Sequence, residues 1–141
     1  MAAIMGATYP DLYAAIGVHS RLAPGAAQDL PSAFSAMRQG QPGTTRQNTP
    51  TEGSARIVPA ILFHGDRDTT VHPRNGDHLL ASYWAANGAG GRRDSTDAPV
   101  PRVTERRGRV PGGHAYTCAT YHDAGGCVMV ERWTVHGLGH A

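Results

Sequence analysis

His64-Gly65-Asp66-Arg67-Asp68-Thr69-Thr70-Val71 closes one apolar run, and Gly137-Leu138-Gly139-His140 closes another near the end of the chain. A carboxylate on one loop and an imidazole on a second are two parts of an acid–base machine. The imidazole takes a proton from a nucleophile. The carboxylate holds the ring's tautomer and stabilises the imidazolium that forms. Histidine suits the base because its ordinary pKa lies near neutrality. Asp68 is the expected acid and His140 the expected base.

Asp66 competes with Asp68, because two residues apart in an extended segment point the same way. Both aspartates also suit plain turn formation or capping of the following helix. For His140 the plain reading is an exposed terminal histidine. Its position between glycines, directly after an apolar strand, gives it reach over a neighbouring strand end. His136 lies on the same approach and reads as structural or substrate-lining.

The third part, a nucleophile, has no recognisable place in the chain. The candidates are Ser20, Ser32, Ser35, Ser54, Ser82, Ser95, Cys118 and Cys127, and none stands in G-x-S-x-G. That motif holds a serine in a strained strand-to-helix turn, and α/β-hydrolases order the three parts as nucleophile, acid, base. Ser20 follows a predicted strand without flanking glycines, so it is expected in a loop near the site. Nothing marks either thiol as activated.

Other chemistry is poorly supported. His64, His72 and His78 do not form H-E-x-x-H or another zinc spacing. Trp84 and Trp133 are expected in core packing before any substrate groove. Arg102, Arg106, Arg107 and Arg109 could touch phosphates, but no aromatics interleave them, so the stretch reads as a solvated loop rather than a nucleic-acid surface. If His122 pairs with Cys127 across a turn, Cys118 faces Glu131. The sulfurs then stand roughly four residues apart at ~3.3 Å each, too far for a disulfide.

The elements that must position these groups alternate. Residues 1–8 look like the tail of a helix. Residues 12–18 form a short apolar run, expected as a strand buried on both faces. Residues 29–40 suit a helix capped by Asp29 or Ser32, with Ala33, Phe34 and Met37 at helical spacing. Residues 41–55 read as a surface loop. Residues 57–63 (IVPAILF) are the clearest strand and deliver His64-Gly65-Asp66 at their end. Residues 75–87 form a helix with Leu79, Leu80, Tyr83 and Trp84 on one stripe, stopped by the glycines after Asn87. Residues 89–109 are low in apolar content and expected exposed. Residues 116–121 and 127–135 read as a β-hairpin around Asp123-Ala124-Gly125-Gly126. Helices alternating with strands predict an α/β class.

The chain has 141 residues, net charge +2, 40% hydrophobic residues, 18 Gly and 10 Pro. That length fits one domain at most and falls short of a complete α/β-hydrolase. No stretch approaches the ~18 apolar residues of a membrane helix. The first residues lack the basic and apolar regions of a signal peptide.

Three segments carry a family resemblance: residues 2–20 (AAIMGATYPDLYAAIGVHS), 62–77 (LFHGDRDTTVHPRNGD) and 112–141 (GGHAYTCATYHDAGGCVMVERWTVHGLGHA). Together they resemble the polyhydroxybutyrate depolymerase family of esterases, which is similar in fold to lipases and to feruloyl and acetylxylan esterases. The phrase F-H-G-D-x-D-T-T-V-H-P-x-N-G carries most of the specificity. The resemblance implies a triad acid at Asp68, a base at His140 and a G-x-S-x-G-G elbow immediately before the segment matching Met1. Oxyanion-hole donors would come from beside that serine and from an earlier loop. It also implies a polyhydroxyalkanoate or short-chain ester as substrate, no metal or organic cofactor, no nucleic-acid or membrane partner, and an extracellular location; a cytoplasmic one is the alternative.

The expectation is thus a partial α/β-hydrolase domain over residues 1–141, truncated at both ends: the C-terminal portion of a mostly parallel sheet flanked by helices, with a late β-hairpin. Lacking a nucleophile, the chain alone is expected to be inactive. About three strands of a larger sheet would leave an open edge prone to self-association. The other readings are a non-catalytic hydrolase remnant acting in binding or assembly, a feruloyl or acetylxylan esterase-like parent, and a basic nucleic-acid module built on Arg102 to Arg109.

Overall fold

The computed structural model describes residues 2–42, 57–87 and 101–140. Most of the loop expected over 41–55, the glycine stop after Asn87 and the first part of 89–109 lie outside the described residues.

The elements run α1 (Ala2–Thr8), β1 (Ile16–His19), α2 (Leu30–Gln39), β2 (Ala60–Gly65), α3 (Arg74–Asn87), β3 (Arg102–Arg109), β4 (Ala115–His122) and β5 (Val128–Val135). They form a five-stranded sheet in the order β1-β2-β5-β4-β3. β1, β2 and β5 are parallel; β4 and β3 continue the sheet antiparallel. This is the α/β class that the alternation predicts, a sheet flanked by helices. Because the three parallel strands run the same way, the loops that follow them open on one edge of the sheet, where such folds build sites.

The core lies on the face carrying Ile16, Val18, Ala60, Leu62 and Val130. Leu79 of α3 is buried in it, with Leu80, Tyr83 and Trp84 packed around, as the helical stripe requires. The Tyr83 hydroxyl donates to the Val58 carbonyl, and burial pushes its pKa up to about 12. The opposite face is more open. There Trp133 stacks on Phe63 at 5.7 Å and meets Tyr116 at 5.0 Å, with Arg106 over its ring. Trp133 therefore belongs to a half-exposed aromatic cluster and not to the core.

α2 opens on a reciprocal capping box. Ser32 N–H donates to Asp29 Oδ1 at 2.8 Å, and Asp29 N–H donates to Ser32 Oγ at 3.1 Å, so both expected caps act. Its expected apolar stripe is not buried: Phe34 is 61% exposed, and Ala36 is the residue packed inside. Asn75, fully buried, joins α2 to α3 by donating through Nδ2 to the carbonyls of Ala36, Met37 and His72.

Three further expectations are corrected. The first strand begins at Ile16, because residues 9–12 close a turn in which Leu12 N–H donates to the Tyr9 carbonyl. It is an edge strand whose burial alternates, with Gly17 and His19 exposed, so it is not covered on both faces. The Arg102–Arg109 stretch is no solvated loop but the edge strand β3, held by its ladder to β4. Its arginines stay in water, which discourages pairing with other chains along that edge. In the hairpin, His122 pairs with Val128 and Tyr121 with Val130, so Met129 is an extra residue and Cys118 faces Trp133. Cys118 is buried, Cys127 exposed, and both are free.

Candidate active site

Asp68 lies in the loop after β2, and its carboxylate is buried. Oδ1 accepts the backbone N–H groups of Thr70 at 3.0 Å and Val71 at 2.8 Å. Oδ2 is left for the His140 ring, whose Nδ1 stands 2.9 Å away. The expected acid and base are thus brought together by two loops at one sheet edge. Burial pushes the Asp68 carboxyl up, but hydrogen bonding from His140, Val71, Ser20 and Thr70 outweighs it and holds the pKa below the ordinary aspartate value. An ionised Asp68 accepts only, so His140 Nδ1 carries the proton and Nε2 of the neutral ring is a free base.

Two more side chains border that carboxylate. His64 donates from Nε2 to the Val71 carbonyl at 2.7 Å, and the same nitrogen lies 3.6 Å from Asp68 Oδ2. Ser20, at the end of β1, has a left-handed backbone with φ 41. Its hydroxyl is buried, forms no hydrogen bond of regular geometry, and still adds to the lowered Asp68 pKa. Ser20 is therefore in the loop near the site where the sequence puts it.

Asp66 takes a different histidine. Its Oδ2 accepts from His136 Nδ1 at 2.9 Å, and its Oδ1 accepts from Gly137 N–H at 2.7 Å. The His136 and Gly137 contacts hold its pKa below the ordinary value. Gly137 adopts φ 78, a conformation that favours glycine, and so turns the chain after β5. The backbone completes the junction: Asp66 N–H donates to the Val135 carbonyl and Arg67 N–H to that of Leu138. Gly65 lets the loops touch, since a Cβ there would stand 2.2 Å from the Leu138 oxygen.

Sequence reasoning missed Thr117, whose Oγ1 lies 2.8 Å from His136 Nε2, and His114, whose Nδ1 donates to the His136 carbonyl at 2.8 Å. Hairpin alternation could have placed Thr117 on the face of His136, but only the register brings them level. Among the described residues no hydroxyl or thiol is hydrogen-bonded to His140, and no group of three His, Cys, Asp or Glu is placed to hold a metal. His72 is engaged locally, its Nδ1 accepting from Arg74 N–H. No helix among the described residues is long and apolar enough to cross a membrane.

A curated relative, poly(3-hydroxyalkanoate) depolymerase C of Paucimonas lemoignei, is 28% identical over 149 residues. The alignment covers 99% of this chain and 32% of the relative, so the chain spans about a third of that protein's length. The family model described as esterase PHB depolymerase matches residues 1–110, a stretch that holds Asp68 and ends before His140. With most of its length inside that match, the chain belongs to the esterase PHB depolymerase family.

Proposed function

We propose that these residues form the acid–base half of a carboxylic-ester hydrolase of the polyhydroxyalkanoate depolymerase type. The observation that carries this reading is the Asp68–His140 contact: a buried, ionised carboxylate holds one ring nitrogen and leaves the other free as a base. His140 Nε2 would take the proton of a serine hydroxyl as that oxygen attacks the ester carbon. It would return the proton to the departing alcohol, then deprotonate the water that releases the acid. Asp68 would hold the ring throughout. That chemistry uses no metal or organic cofactor.

The serine would stand on a G-x-S-x-G segment outside residues 1–141, since none lies within them. The substrate would be a hydroxyalkanoate ester or a short-chain ester, met outside the cell. Incubating the chain with a chromogenic short-chain ester tests the reading. No sustained turnover is expected from these residues alone. Turnover abolished by His140→Ala would overturn the view that the nucleophile lies elsewhere.

A further inference from the structure

Apart from the Asp68–His140 pair, the described residues hold a set of groups in the order carboxylate, imidazole, hydroxyl. Asp66 Oδ2 and His136 Nδ1 are 2.9 Å apart, and His136 Nε2 is 2.8 Å from Thr117 Oγ1. The proton positions follow from what each atom can do. An ionised Asp66 can only accept, so His136 Nδ1 carries a proton. Nε2 of the neutral ring is then a lone pair, and the contact with Thr117 is O–H···N with the hydroxyl donating. A nucleophile bonded to a base that is oriented by a third group is the ground-state arrangement of an activated alcohol.

Three strands hold this chain of groups in place. Asp66 follows β2, His136 follows β5 with its N–H donating to the Ala115 carbonyl, and Thr117 is an interior position of β4. The site is open: the His136 and Asp66 side chains are 43% and 38% exposed. Arg107 of β3 stands directly across from Thr117 in the ladder. Its guanidinium is paired with Glu105 at 2.9 Å, so its charge is balanced within β3.

The geometry points to Thr117 as a second nucleophile, an acceptor of acyl groups from small activated esters, with His136 as its base and Asp66 orienting the ring. This does not depend on the role of Asp68 and His140. Thr117 Oγ1 forms a bond to the acyl carbon while its proton passes to His136 Nε2. The bond from that carbon to the leaving oxygen breaks, and His136 returns the proton to that oxygen. The products are one acyl-threonine ester and one free alcohol or phenol, with the imidazole neutral again. Stoichiometric acylation is what the arrangement supports.

The chain contains no lysine, so the commonest competing acceptor is missing. The intact chain would be incubated with p-nitrophenyl acetate, and the acetyl group located by mass spectrometry of its peptides. Acetyl on Thr117 is expected. Thr117→Ser should retain it, Thr117→Val should remove it from that peptide, and His136→Gln should slow acetylation of Thr117 about 100-fold. Asp66→Asn serves as the comparison should His136→Gln not fold. Acetyl confined to histidine rings, tyrosines, cysteines or the N-terminus would overturn the proposal. So would an undiminished rate of Thr117 acetylation in the folded base variant.

Discussion

Asp68 Oδ2 and His140 Nδ1 stand 2.9 Å apart across 72 positions of sequence. The pairing is prepared from the aspartate's side. Two backbone N–H groups hold the other carboxylate oxygen, so the free one is fixed before the histidine arrives. Asp68→Asn keeps the size but offers no ionised acceptor, which releases the preferred Nδ1–H tautomer. With the chain joined to a segment bearing a G-x-S-x-G serine, this change is expected to lower kcat by roughly 10³ to 10⁴ with little effect on KM. Unchanged kcat would show that Asp68 does not orient the base.

The same carboxylate links stability to pH. Its pKa is lowered in the folded chain, as is that of Asp66, so folding favours the ionised forms. The resulting stability is fully present above the ordinary aspartate pKa of about 3.9. It is lost as pH falls through the lowered folded values. Thermal midpoints should therefore fall on acidification below about pH 4, and the fall should be shallower in Asp68→Asn. A midpoint that rises over that range would contradict the assignment.

Asp66→Ala removes the acceptor for both Gly137 N–H and the His136 ring. These groups are partly open to water, so the expected loss is about 1 kcal/mol, read from urea unfolding. An unchanged midpoint would mean that the backbone bonds from Asp66 and Arg67 hold the loop without the carboxylate.

Gly65→Ala tests the contact between the two loops. The added methyl would stand 2.2 Å from the Leu138 oxygen, which sits in backbone and must move. Overpacking of this kind costs about 1–3 kcal/mol. The displaced loop also carries His140, so the ring signals of His140 in an NMR spectrum should move with it. A stable variant with unmoved His140 signals would refute the close approach.

Asn75→Leu should be among the costliest single changes away from the site. It removes the Nδ2 donor shared by the carbonyls of Ala36, Met37 and His72, each of which keeps one backbone N–H, and so breaks the side-chain link between the helices. The expected loss is about 2 kcal/mol by denaturant unfolding, and no loss would remove Asn75 as the joint between α2 and α3.

Much of this arrangement was legible in residue types. The apolar run ending in His64-Gly65 announces β2, the stripe of Leu79, Leu80, Tyr83 and Trp84 announces α3, and Asp29 with Ser32 announces the start of α2. What stayed hidden depends on partners distant in sequence. β3 reads as loop because half of its residues are arginine; it is a strand because β4 supplies the ladder. Met129 bulges within β5, which no local pattern announces, and the bulge together with the one-residue shift that sets His122 opposite Val128 brings Cys118 to face Trp133. Position alone did not choose between Asp66 and Asp68, since both face the same edge; the family resemblance pointed to Asp68. Each aspartate has its own histidine, and only the fold shows which takes which.

The most direct test joins this chain to a segment bearing the G-x-S-x-G serine and measures hydrolysis of a 3-hydroxybutyrate oligomer before and after His140→Ala. A loss of at least about 10³-fold with the fold intact is expected. Hydrolysis at the original rate in the His140→Ala protein would contradict it.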